Sequence, residues 1–278
     1  MARRMTAAEK VDYRRLFPNL NVDNVWVLGE KTAVYNCLAW ALGINNRWVW
    51  PWGGRDATST EMRDFLRTWG FTPWVPGAMS SLAVYGTGAS NVKHAVRFTN
   101  LWSSKCGQLL CITHSLRELD CGAYGSMMQE YVRMGAAVAA ADDVKPAGIE
   151  IKAGEPEVQP FSAAELSVIE SRVARVDAAS RSAFDKAFMA WLRSWTWQQP
   201  GPPTNNEPFV DLLALGPKVI PLLVERLTDV HMWPAIYPLE FLLPRDFAVS
   251  FELDDPEVLL GEQHRARALA LAWSRAQL

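Results

Sequence analysis

Apolar positions fall into two regimes along the chain. Up to about residue 135, short helical stretches, Gly-rich turns and alternating runs interleave; from Phe161 onward, apolar residues recur at helical spacing. Between them, residues 136–160 are rich in small, charged, Pro and Gly residues, the composition of a linker. The pattern predicts an α+β domain over 1–140, a linker over 141–160 and an all-α domain over 161–278.

In the first half, Asn36 is a suitable N-cap and Gly43 a suitable stop for the wholly apolar segment 37–42. That predicts a short buried helix with Cys37 in its first turn. Thr58 and Glu61 form a capping box, and Met62, Phe65, Leu66 and Trp69 follow at helical spacing before Gly70. Strand-like runs come next. Val84-Tyr85 ends in Gly-Thr-Gly, His94 to Phe98 alternates, and a turn at Thr99-Asn100 leads into Leu101 to Ser104. Leu109 to Thr113 is a further strand.

The second half opens with another capping box, Ser162 to Glu165, leading into Leu166, Ile169, Val173 and Val176. Phe184, Phe188, Trp191, Leu192 and Trp195 form a second apolar face, which Pro-Gly-Pro-Pro at 200–203 ends. Phe209, Leu212 and Leu213 stop at Gly216, Pro217 opens a helix with Ile220, Leu223 and Leu227, and 262–278 forms a last helix. One such helical hairpin is too few for a solenoid.

Composition narrows the function classes. A length of 278 residues suits two domains, and 49% hydrophobic with 21% charged residues is the balance of a globular protein. The net charge of −2 comes with scattered Lys and Arg, so no basic stripe offers a nucleic-acid face. No apolar run approaches the roughly 18 to 20 residues of a membrane span. The start, Met1 to Met5, has two arginines but no apolar core after them, unlike a secretory signal. Four cysteines in a chain this long suggest no disulfide framework and point to a reducing cytoplasm. With no CxxC pair and four histidines, neither zinc nor another cofactor is expected. Gly53-Gly54 and Gly86-Thr87-Gly88 do not open helices with a following Lys, so they make no phosphate loop. Asp142-Asp143 and Asp254-Asp255 read as solvated turns. Thirteen tryptophans are present, several of them in the run Trp48-Val49-Trp50-Pro51-Trp52. That run packs a small core or forms an apolar wall beside an active-site cleft.

The candidate chemistry centres on Cys37. A helix N-terminus lowers a thiol's pKa, and its free N–H groups can hold an oxyanion. On the bland reading, Cys37 is a small buried hydrophobe. His94 heads a predicted strand 57 residues downstream and could face that helix start as the base. If the strands pair around Thr99-Asn100, Ser104 or Lys105 falls opposite His94, and Ser104 is the candidate orienter of the imidazole. His114, at the end of the next strand, could pair with Cys37, orient His94 or cap the following turn. His231 and His264 lie in the helical half, away from any nucleophile. Cys106, Cys111 and Cys121 read as core residues.

Helix-borne Cys, then strand-borne His, then a polar residue on the next strand resembles the order of the papain-like cysteine peptidase superfamily. More narrowly, Tyr35-Asn36-Cys37-Leu38-Ala39-Trp40-Ala41-Leu42-Gly43, the Trp48–Pro51 run, His94-Ala95, Trp102 to Gly107, Ile112-Thr113-His114 and Tyr124-Gly125 resemble a little-characterised bacterial domain family. The resemblance spans roughly residues 15 to 135. It implies a papain-like fold, a helix against an antiparallel sheet, with Cys37 and His94 as catalytic dyad. The Asn or Asp usual at the third position is absent. The expected activity is hydrolysis of an amide in a protein or peptide substrate by a peptidase, amidase or deamidase, with the helical domain recruiting the target or covering the site. Two alternatives stand beside it: a non-catalytic binding or scaffold protein working through its C-terminal helices, and an effector toxin delivered to another cell.

Overall fold

The computed structural model describes residues 2–133, 158–196, 202–244 and 261–276. The expected linker therefore falls outside the described residues as far as 157. The chain divides into two compact units, Met1–Asn46 with Arg55–Glu155, and Arg47–Gly54 with Pro156–Leu278. The first is α+β with an antiparallel sheet and the second is helical. Residues 47–54, placed in the first domain by composition, pack with the second unit instead.

The sheet of the first unit has eight strands: β1 (Arg3–Arg4), β2 (Trp26–Gly29), β3 (Phe71–Pro73), β4 (Leu82–Gly86), β5 (Val92–Phe98), β6 (Trp102–Lys105), β7 (Cys111–His114) and β8 (Ser126–Arg133). They lie in the order β1-β2-β7-β6-β5-β4-β8-β3, and every described pair is antiparallel. Three helices accompany them: α1 (Ala7–Leu16), α2 (Cys37–Leu42) and α3 (Ser59–Thr68). Helix α2 has the predicted bounds. Asn36 Oδ1 accepts from Ala39 N at 2.9 Å, and Gly43 takes the left-handed conformation (φ 88°) that stops the helix. All six of its residues are buried, as a helix apolar on every side requires. Helix α3 starts on the predicted Thr58–Glu61 capping box.

The face on which α2 packs decides the geometry of the site. Trp40 donates its indole N–H to Ser103 Oγ at 3.1 Å, and the Arg97 guanidinium lies 5.7 Å from the same ring. Arg97 and Ser103 are direct cross-strand partners, so α2 covers the face they share. By alternation, His94 and Val96 of β5 and Ser104 of β6 project from the other face. Tyr124 covers it there, with Phe17, just beyond α1, 5.5 Å from the Tyr124 ring.

The helical unit contains α4 (Ala163–Val173), α5 (Ala178–Ser194), α6 (Glu207–Leu213), α7 (Ile220–Arg226), α8 (Ile236–Leu242) and α9 (Glu262–Arg275), with 3-10 turns at Pro217–Val219 and Val230–Ala235. The strap 47–54 completes its core. Trp48 lies 5.1 Å from Trp195 and 5.2 Å from Trp233, ring centre to ring centre, and Trp50 and Trp52 meet edge to face. Trp48 N donates to Gln263 Oε1 at 2.8 Å, and Glu262 N returns a bond of 2.8 Å to Trp48 O. Gly261, at φ 104°, makes that approach possible, because a Cβ there would stand 2.7 Å from Trp48 O. The tryptophan run is therefore core packing of the helical unit.

Candidate active site

Cys37 and His94 reach the same stretch of β5, but not each other. The thiol lies at the first residue of α2, in a setting where the nearby backbone N–H groups of Ala95, Leu38 and Cys37 itself favour its charged form. Burial pushes its pKa up to about 11, against the pull of these N–H groups and of Lys105. His94 precedes Ala95 and is wholly buried. Its ring stacks on Tyr124, centroids 3.8 Å apart and planes within 5°, and meets Tyr85 edge to face. Neither ring nitrogen has a hydrogen-bond partner among the described residues. Burial first, and the nearby His114 second, hold its pKa well below the ordinary value, so the imidazole is neutral. The thiol–imidazole hydrogen bond of an assembled dyad is not formed in this conformation.

Gly125 sets Tyr124 in place. At φ 82° it lies so close to β4 that a Cβ would stand 2.2 Å from Gly86 O, which draws the preceding tyrosine over His94.

Ser104 does not orient His94, which corrects the expected triad. The register pairs Arg97 with Ser103, and continuing it sets Val96, not His94, opposite Ser104. On β7, Ser104 faces Ile112 and lies diagonal to His114, and its Oγ is 3.2 Å from His114 Nε2. His114 Nδ1 lies 2.9 Å from Ser115 O. A carbonyl only accepts, so Nδ1 carries the proton and the Ser104 hydroxyl donates to Nε2. His114 is thus neutral, and burial pulls its pKa down to about 4. Of its three possible roles, the structure shows it bonded to Ser104 and to the turn that follows it.

Lys105, which strand pairing sets near His94 beside Ser104, has a structural role. Its ammonium is buried and donates to Thr32 O at 3.0 Å, Gly107 O at 2.6 Å and Leu109 O, while Tyr35 offers its ring face at 5.4 Å. Burial lowers its pKa to about 8. Three carbonyls from two segments converge on one cation, so Lys105 pins the β6–β7 hairpin to the chain that leads into α2. Lys105→Met leaves those carbonyls without their donor. The expected result is a loss of about 2 kcal/mol, read by hydrogen exchange as earlier opening of β6 and β7 than of β4 and β8. The signal in the sequence was a lysine two residues before a glycine turn, with no other Lys, Arg, Asp or Glu between Trp102 and His114.

The remaining candidates are quickly placed. All four cysteines are unpaired; Cys106 and Cys111 are buried as expected, whereas Cys121 is exposed, with a positive φ of 60°. Among the described residues, no three His, Cys, Asp or Glu side chains are grouped to hold a metal ion, and no helix is long and apolar enough to cross a membrane.

No curated protein and no solved structure matches the chain significantly. Residues 26–132, the stretch carrying Cys37, His94, Ser104, Lys105, His114 and Tyr124, are similar to a family described as a domain of unknown function (DUF7689).

Proposed function

We propose that the first unit is a papain-like cysteine hydrolase whose groups are in a closed, resting arrangement. The observation that carries this reading is the unpartnered imidazole of His94. A buried polar group without a hydrogen bond costs about 1–3 kcal/mol, and phenylalanine would fill the same stacked position without that cost. The imidazole belongs to the residue next to Ala95, whose backbone N–H favours the charged form of the Cys37 thiol. In the working state the irregular start of β5, where Lys93 is the extra residue, shifts its register so that the imidazole leaves Tyr124 for the Cys37 side and takes the thiol proton. The thiolate attacks the amide carbonyl carbon, and backbone N–H groups at the start of α2 hold the oxyanion. His94 returns the proton to the departing amine, and water then releases the acyl group from sulfur. The substrate class is a peptide or protein amide, and the four free thiols suit a reducing compartment such as the cytoplasm.

A specific observation favours a second reading, a non-catalytic binding protein: a thiol held near 11 with no imidazole bonded to it is an unreactive thiol. Iodoacetamide labelling with peptide mapping separates the two, with exposed Cys121 as the internal reference. For a hydrolase, Cys37 labels faster than Cys121 at pH 6, and His94→Phe slows it at least tenfold while raising stability by about 1 kcal/mol. A Cys37 rate that climbs with pH up to about 10 and ignores His94→Phe establishes the binding reading instead.

A further inference from the structure

The helical unit holds a groove of about 360 Å³ between the start of α4, the turn after α7 and the middle of α9. Its walls are mainly apolar, with Phe161, Leu166, Leu227, Val230, Trp233 and Ala266; of its polar lining residues, Asp229 is engaged in capping the turn through His231 N and Gln263 in accepting from Trp48 N, with Gln159 and Thr228 beside them. One permanent cation, Arg267, borders it. The guanidinium lies 5.3 Å from the centre of the Phe161 ring, and its other contacts are long: 3.4 Å to Pro160 O and 3.7 Å to the Glu165 carboxylate. Glu165 is already engaged, since it caps α4 through Ser162 N at 2.7 Å and lies 3.9 Å from Arg275. Arg267 Nε is buried and has no hydrogen-bond partner among the described residues.

An apolar groove large enough for a small molecule, with a single under-used fork of N–H donors at its edge, fits one kind of guest. We propose that this groove binds an apolar monocarboxylate, its chain against Leu227 and Trp233 and its carboxylate on the Nε edge of Arg267. Guanidinium and carboxylate match as paired donors and acceptors, and the ligand would supply the acceptor that Nε lacks. The proposal is independent of the Cys37 chemistry, because every residue it uses belongs to the helical unit.

Calorimetric titration of the full chain with decanoate, and with 1-decanol as the uncharged counterpart, tests it. Decanoate is expected to bind in the micromolar range, with decanol at least tenfold weaker. Arg267→Met should weaken decanoate at least tenfold and leave decanol unchanged. Ala266→Leu, which fills the groove without touching the guanidinium, should weaken both; it keeps the test decisive if Arg267→Met fails to fold. No binding of decanoate to the wild-type chain, equal binding of decanoate and decanol, or decanoate binding unaffected by Ala266→Leu each overturns the proposal.

Discussion

Trp48→Ala is expected to destabilise the helical unit by about 3–5 kcal/mol, the usual cost of removing a buried tryptophan. Trp48 is completely buried and touches both Trp195 and Trp233, which also meet each other edge to face at 5.6 Å. Removing the indole therefore opens a cavity bordered by two large rigid rings that cannot collapse into it. The backbone bonds to Gln263 and Glu262 depend on the same placement, so the first turn of α9 should loosen with it. The readout is hydrogen exchange resolved by segment. Amides of α8 and α9 lose protection, whereas those of β4, β5 and β8 keep theirs. Protection lost equally in the sheet and the helices would show that 47–54 is not a part of the helical unit.

That strap also marks where sequence reading gave out. Local signals are sufficient where a cap leads into an apolar run. Asn36 and Gly43 bound α2, Thr58 with Glu61 starts α3, and Ser162 with Glu165 starts α4, each by a bond within a few residues. Pattern was also enough to bring Cys37 and the His94 strand together, since a short all-apolar helix must be buried and β5 is its neighbour. Trp48 meets partners about 150 to 200 residues away, and no local periodicity encodes such a contact. Helix α1 starts on a capping box of the same kind, Thr6 with Glu9, but Tyr13 alone among its residues is buried, so almost no apolar stripe follows the cap. The side of the sheet on which His94 lies was harder still. The ladder between β4 and β5 shifts register between Tyr85 and Gly86, opposite the extra residue Lys93, and a one-residue shift moves side chains to the other face. Ser104, assigned to His94 by turn geometry, sits two pairs away opposite Val96 and serves His114.

Those two histidines lead to the second large effect, loss of stability in mild acid. His114 has a folded pKa of about 4, against 6.5 for the free side chain. Above pH 6.5 it is neutral in both states and contributes no pH dependence. Between 6.5 and 4 the unfolded chain takes up a proton that the fold refuses, so stability falls as pH falls. The shift corresponds to about 3 kcal/mol by pH 4, of which about 2 kcal/mol is lost by pH 5. His94, also buried and also held below its ordinary pKa, acts in the same direction and extends the loss to lower pH. The paired carboxylates Glu9 and Glu61, lowered to about 2 by Arg3 and Arg55, respond only below about 4.5. The window from 6.5 to 5 in the first unit therefore belongs to the histidines. Exchange of β5 and β7 amides, corrected for intrinsic rates, should show the decline from pH 7 to pH 5 in the wild type. In the double variant His94→Phe, His114→Gln the decline should vanish, because glutamine can still bond Ser104 but cannot take a proton. A slope that persists in the double variant would mean that the imidazoles are not held neutral by burial, and would remove the physical basis of the closed site.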